Sequence, residues 1–242
     1  MEDIERLADR VTVFRDGQYI GSWNASQSDQ HTLIVAMVGR EISQLYPKRS
    51  IHIGEEVLRV ENLSRTGYYR DVSLDVHAGE IVALTGLVGA GRTEVCESIY
   101  GVYPADAGTI YLNGAPIAPQ SPMDALAMGI GHVPEDRQLQ GLILEWEIGK
   151  NITLPSLAEL SDHGWLNEER ERLLAGRLSD KLTVKAGSIF ATATTLSGGN
   201  QQKVVVAKAL SRPLKLIILD EPTKGVDVAA KAAICEIIGD LA

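Results

Sequence analysis

Three short stretches carry residue types and spacings suited to a phosphate ligand. The first is GLVGAGRTE, Gly86 to Glu94, which follows the apolar run EIVALT. Gly86, Gly91 and Thr93 fall where the phosphate-binding pattern G-x-x-x-x-G-K-[ST] wants them, but Arg92 stands in the lysine's place. Gly86, Gly89 and Gly91 tolerate backbone angles that other residues resist. The N–H groups of this run, through Leu87, Val88 and Ala90, can therefore turn inward on an anion. A helix starting near Arg92 adds its positive end, and Thr93 can offer a hydroxyl to Mg²⁺. The bland alternative is a strand-to-helix turn whose glycines serve close packing. The second stretch, LIILDEPT, ends an apolar run on two carboxylates. Asp220 can hold Mg²⁺ through water, and Glu221 can polarise a water against a γ-phosphate. A strand merely emerging into solvent would look similar. The third is LSGGNQQKV, where Ser197, Gly198 and Gly199 open a helix. Hydroxyl, free N–H groups and helix dipole make a second anion cradle there, or else an ordinary N-cap.

Strands and helices must position these groups. VTVFRDGQYIGSW reads as a hairpin around Asp16-Gly17, and residues 30–39 read as a helix. REISQLYPKRSIHIGEE, polar and containing Pro47, reads as a linker. The first fifty residues carry too little apolar surface to fold alone, so Val11, Val13, Ile34 and Met37 are expected to be poorly buried. From residue 54, EVLRVENL, DVSLDV, EIVALTG and GTIYLNG read as strands, and GRTEVCESIYGV as a helix. Ser121 caps a short helix with Pro122 first and Gly129 past its end. IGHVPED is a strand entering a loop, with His132 structural. Asn167 caps a helix in which Leu174, Leu178 and Leu182 recur at i+4, and SGGNQQKVVVAKALSR is another, stopped by Pro213. LKLIILD reads as a strand buried on both faces of a parallel sheet. The order implies an α/β domain with an inserted helical part at about 140–200.

Composition narrows the class. The 242 residues are 45% hydrophobic and 23% charged, ordinary for a globular protein, and no run of about 18 apolar residues exists. The net charge of -9 argues against a nucleic-acid surface. Cys96 and Cys235 have no partner spacing for a disulfide or zinc site, and the charged N-terminus is no signal peptide.

Taken together, the phosphate loop, LSGG with Gln201 about a hundred residues later, and LIILDEPT close behind resemble the nucleotide-binding domain of ABC transporters. The details LSGGNQQK, PEDR (Pro134–Arg137) and TKGVDVAAK resemble the sugar-importer ATPases of the ribose, xylose, galactose, rhamnose and autoinducer type, whose chains carry two such domains in tandem. The resemblance implies a P-loop NTPase fold with a RecA-like core, an antiparallel β subdomain and a helical subdomain. It also implies ATP and Mg²⁺ as ligands. Residues 1–50 would be the tail of a first domain plus linker, with MVGRE at the joint. Residues 51–242 would be a second domain cut before its switch segment. Expected partners are the other ATPase domain, transmembrane permease subunits met by the helical region after Glu135, and indirectly a periplasmic sugar-binding protein. The expected place is the cytoplasmic face of the cell membrane.

By the same resemblance Glu221 and Glu135 are catalytic, with Glu135 standing where relatives carry the Q-loop glutamine. Thr93, Asp220 and Glu135 would hold the metal. Gly86 to Glu94, Ser197, Gly198, Gly199 and Gln201 would bind nucleotide, and Tyr69 or Tyr68 would stack on adenine. Asp227 matches the D-loop, or else caps a helix. Second halves of this family commonly carry Arg in the loop, as at Arg92. A planar guanidinium is not a lysine point charge, so a binding site with poor hydrolysis is expected. A nucleotide-binding regulatory module, or an ABC ATPase without a transporter, remains the alternative.

Overall fold

A computed structural model describes residues 7–15, 17–27, 29–39 and 51–242. These form two compact units, one from the first fifty residues with Gly225–Leu241 and one from residues 51–224. Asp16 and the stretch from Arg40 through Pro47 to Ser50 lie outside the described residues, so the first residue of the turn dipeptide, most of the linker and part of MVGRE do too.

In the smaller unit β1 (Arg10–Arg15) pairs antiparallel with β2 (Gln18–Asn24), as the alternating pattern requires. The Asp29 carboxylate accepts the Thr32 N–H at 2.7 Å and starts α1 (Gln30–Val38), which Gly39 ends in the left-handed region. Val13 and Leu33 are buried, whereas Val11, Ile34 and Met37 are half-buried. The expectation of poor burial therefore fails at Val13. The final helix α7 (Val228–Leu241) contacts α1 within this unit and supplies cover that the first fifty residues lack by themselves.

The larger unit is built on an antiparallel sheet. β3 (Glu56–Arg65) lies between β4 (Tyr69–His77) and β5 (Ala107–Leu112), and β6 (Ala115–Ile117) pairs on the outer edge of β5. Leu58 and Val60 alternate inward, but the next buried residue is Leu63, three positions on. The register shifts there, with Asn62 at φ 50° absorbing the extra residue. Opposite this bulge stands Gly108, whose Cβ would lie 2.5 Å from the Leu63 Cα. The helix α2 (Arg92–Ile99) packs Val95 and Ile99 against Leu58, Val60, Leu63 and Ile110. Each such side chain contributes roughly 1.5–3 kcal/mol by leaving water. That packing fixes the start of α2, and with it the glycine loop.

α3 (Pro122–Met128) starts as expected, the Ser121 hydroxyl accepting the Asp124 N–H at 3.2 Å, and it leads into β7 (Ile130–Val133). β7 pairs in parallel with β10 (Leu216–Leu219). Two expectations fail around this pair. No strand forms over Glu80–Gly86, where Ile81, Val82 and Leu84 are exposed, and β10 is half-buried along its length rather than buried on both faces. A strand needs a neighbour for its N–H and C=O groups. Among the described residues this parallel sheet has only two strands, so segment 80–86 has no ladder to join.

The helical part holds α4 (Ile148–Thr153), a hairpin of β8 (Ser161–Asp162) and β9 (Trp165–Leu166), α5 (Glu168–Lys181) and α6 (Gly198–Ala209). Asn167 caps α5 through the Arg170 N–H at 3.1 Å. Asn151 on α4 is fully buried. It accepts the Ile143 N–H at 2.8 Å and donates to the carbonyls of Ile143 at 2.9 Å and Glu147 at 3.1 Å, pinning the 143–147 loop.

Candidate nucleotide site

The loop from Gly86 to Gly91 lies wholly at the surface apart from Gly91, with Val88 fully open. Gly89 and Gly91 adopt φ 80° and 86°. A Cβ on Gly91 would lie 2.8 Å from the Tyr68 carbonyl oxygen, so the last loop residue must be glycine both for its backbone angle and for space. Ala90 donates to the Leu87 carbonyl at 3.1 Å, which closes the turn. No other N–H from Val88 to Thr93 is engaged by the described residues. These donors converge at the start of α2, where Gly91 gives no side-chain cap. Such a cluster of unpaired N–H groups at a helix start favours an anion.

The acids sit at the carboxyl ends of the two parallel strands. Asp220 N–H donates to the Val133 carbonyl at 2.9 Å, so Asp220 and Glu221 leave β10 beside the exit of β7 towards Glu135. Asp220 is buried, the Thr93 hydroxyl lies close enough to favour its charged form, and its Oδ2 has no hydrogen-bond partner. Burial pushes its carboxyl above the usual range, the Thr93 hydroxyl opposes this, and the charges of Glu135 and Glu221 add to the rise. A buried carboxylate oxygen without a donor, with the Thr93 hydroxyl nearby, offers hard oxygen atoms that suit Mg²⁺, while no group of three or more acidic, His or Cys side chains among the described residues could hold a metal by itself.

Arg92 donates to Glu221 Oε1 at 3.3 Å, joining the loop to the end of β10. Glu221 holds φ 42°, a left-handed angle uncommon outside glycine. Lys224 pairs with Glu135 through its Nζ, which raises the lysine's pKa. Thus Arg92, Thr93, Glu135, Asp220 and Glu221 form one cluster.

The remaining candidates lie elsewhere in the larger unit, except Asp227, which belongs to the smaller one. Glu94 is in the first turn of α2. Ser197 precedes α6, where its hydroxyl accepts from Asn200 Nδ2 at 3.0 Å, and no hydrogen bond among the described residues joins it to the loop. Gly198 and Gly199 form the first turn of α6. Gln201 is buried, donating to the Ala193 carbonyl at 3.2 Å and accepting from Arg137 Nε at 3.4 Å. Tyr69 packs on the Leu58–Val60 cluster with its hydroxyl buried. Tyr68 is the exposed ring, and the Arg65 guanidinium lies 4.2 Å from its centroid. A cavity of about 490 Å³ is bounded by both tyrosines, Arg65 and Asp106. Asp227 accepts the Ala230 N–H at 2.8 Å and so caps α7.

Sequence reasoning missed Arg137 as a bridge. Its Nη1 donates to the Lys224 carbonyl at 2.9 Å while its Nε reaches Gln201, linking the end of β10 to α6. The signal available was its place in PEDR, two positions after Glu135.

Comparison with known proteins agrees with this geometry. A family model described as ABC transporter matches residues 69–224. A ribose import ATP-binding protein of Geobacillus kaustophilus is 45% identical over 242 residues, covering 100% of this chain and 49% of the relative. A putative ribose/galactose/methyl galactoside import ATP-binding protein of Rhizobium etli is 46% identical, covering 100% and 46%. The chain spans about half the length of the curated relatives it matches. Among solved structures, a nucleotide-free ATP-binding cassette from an ABC transporter aligns with TM-score 0.66 at 24% identity, over 77% of each chain. An ATP-binding cassette in its ADP conformation aligns with TM-score 0.65 at 24% identity, over 77% of this chain and 76% of that one. The fold is that of a P-loop ABC ATPase, and the chain belongs to the ABC transporter family.

Proposed function

We propose that this chain is part of an ATP-binding, ATP-hydrolysing subunit that powers carbohydrate import, and that its own site binds nucleotide, weakly in the chain by itself, and hydrolyses it poorly. The observation that carries the reading is the buried, unpartnered Asp220 Oδ2 near Thr93, the residue that follows a loop whose N–H groups are largely unpaired. The loop donors would take the phosphates. Thr93 and Asp220 would hold Mg²⁺, with Glu135 close by, and the cation would supply charge neutralisation between the phosphate oxygens. Tyr68, the exposed ring at the 490 Å³ cavity, would stack on adenine in preference to Tyr69, which the core occupies.

Glu221 would act as the base that orients water. Its carboxylate is held by Arg92. The low-activity reading rests on arginine standing in the place of the loop lysine. Relatives named for ribose and galactose import favour a sugar as cargo. Residues 1–50 would then be the tail of a first domain, and Ser197 to Gly199 would close over the nucleotide of the other half. Permease subunits would dock on the helical part, at the cytoplasmic face of the membrane. No helix among the described residues is long and apolar enough to cross a membrane.

Calorimetric titration of the chain with Mg-ATP, paired with a phosphate-release assay, tests the reading. Saturable binding with little turnover is expected. Absence of binding refutes the nucleotide site, and brisk turnover refutes the low-activity part.

A further inference from the structure

Three carboxylates, Glu135, Asp220 and Glu221, follow the carboxyl ends of β7 and β10, and the charges of Glu135 and Glu221 are felt at Asp220. A triphosphate would bring more negative charge to the same place. Two cations balance them: Arg92 on Glu221, and Lys224 on Glu135. Arg92 belongs to the loop. Lys224 lies in the TKGVDVAAK stretch, where no role was read for it, and the backbone aims it. Its N–H donates to the Glu221 carbonyl at 2.9 Å, closing the turn that follows β10. Its own carbonyl is held by Arg137, which is in turn bonded to Gln201 on α6. The peptide is therefore fixed at both ends while the ammonium lies on Glu135.

Stability does not explain this arrangement. The Lys224 side chain is 58% exposed and that of Glu135 35%, and pairs so open to water contribute little to folding. Charge balance at the site does explain it. Glu135 would otherwise present an uncompensated carboxylate to the phosphates.

We propose that Lys224 is a positioning residue of the nucleotide site, which rests on the reading above: paired with Glu135, it forms a neutral unit that lets Mg-nucleotide approach. Arg137 holds the lysine's backbone for this purpose and ties it to the helix that begins with LSGG.

Equilibrium binding of Mg-ATP to the whole chain tests the assignment, using Lys224→Met, Glu135→Gln and the double variant. Lys224→Met should weaken binding by about tenfold, equivalent to roughly 1.4 kcal/mol. The double variant should bind several-fold more tightly than Lys224→Met, because removing the carboxylate removes the charge that the lysine compensates. Lys224→Arg should bind like the parent. The urea midpoint of Lys224→Met should stay unchanged, which separates positioning from a structural role. Parent-like binding by Lys224→Met, or a double variant as weak as Lys224→Met, overturns the assignment alone. A parent chain that fails to bind Mg-ATP overturns the proposed function and the assignment with it.

Discussion

His132 should make folding of this chain acid-sensitive in a defined window. It lies on β7 with its ring tilted at 39° to Tyr100 and 4.9 Å from it, and its Nε2 is buried without a partner. Burial drives its pKa down from 6.5 to about 4, since no acceptor stabilises the imidazolium. Between those values the unfolded chain binds a proton that the folded chain refuses. Stability is therefore full above about pH 6.5 and falls as pH drops towards 4. A displacement of this size corresponds to about 3 kcal/mol at 1.36 kcal/mol per unit. Other groups border the same cavity of about 350 Å³. Glu97 is raised chiefly by burial and works in the opposite direction, because the folded state takes its proton more readily as pH falls. Lys208 is lowered by burial, so its effect lies on the alkaline side and leaves this window untouched. The perturbation is His132→Phe, which keeps a flat ring on Tyr100 and removes the titration. Urea unfolding at half-unit steps from pH 7.5 to 4 would give the slope for both proteins. The parent should lose about 3 kcal/mol more than the variant across the window. Equal slopes would refute the argument and show that His132 is charged or solvated in the fold.

Gly91→Ala should destabilise the chain by about 1–2 kcal/mol from the left-handed angle alone, with more from the contact at the Tyr68 carbonyl, and should abolish Mg-ATP binding. Urea midpoints and titration check both. Asn151→Ala should cost about 1–3 kcal/mol, because buried backbone groups of residues 143 and 147 lose their partner, and hydrogen exchange should rise in the 143–147 loop. In a full-length tandem protein with its permease, Gly199→Asp should abolish ATP turnover. Arg92→Ala should weaken nucleotide binding in its own site and leave a large part of turnover. Equal silencing by both variants would refute the asymmetric arrangement.

Much of the fold is legible locally. The hairpin of β1 and β2 follows from alternation on either side of a turn dipeptide, and Ser121, Gly129 and Asn167 mark helix ends by cap chemistry. These signals need only residues a few positions apart. The strand expected over Glu80–Gly86 failed because an apolar run announces burial and says nothing of a partner. Ile81 is 59% exposed where no ladder is within reach. The same limit applies to β10, whose LIIL sequence promised two covered faces. In the site, Gly91, Thr93, Asp220 and Glu221 were legible from spacing. Asn151, Arg137 and Lys224 were not, because their roles arise from bonds between segments that only folding brings together.

The Arg92–Glu221 contact links nucleotide binding to the chemistry that would follow. Both side chains are partly exposed, at 31% and 43%, so their pair is worth about 0–1 kcal/mol. Charge-assisted bonds from the same guanidinium to phosphate oxygens are worth about 1.5–3 kcal/mol each. On those magnitudes Arg92 leaves Glu221 when the loop is filled. Glu221, already held at an uncommon backbone angle, is then released only in the occupied site. An arginine in place of the lysine thus does more than supply a charge. It would couple the state of the loop to the freedom of the carboxylate at the end of β10, and a lysine ammonium, a point charge without the planar fork, is less suited to holding both partners in turn.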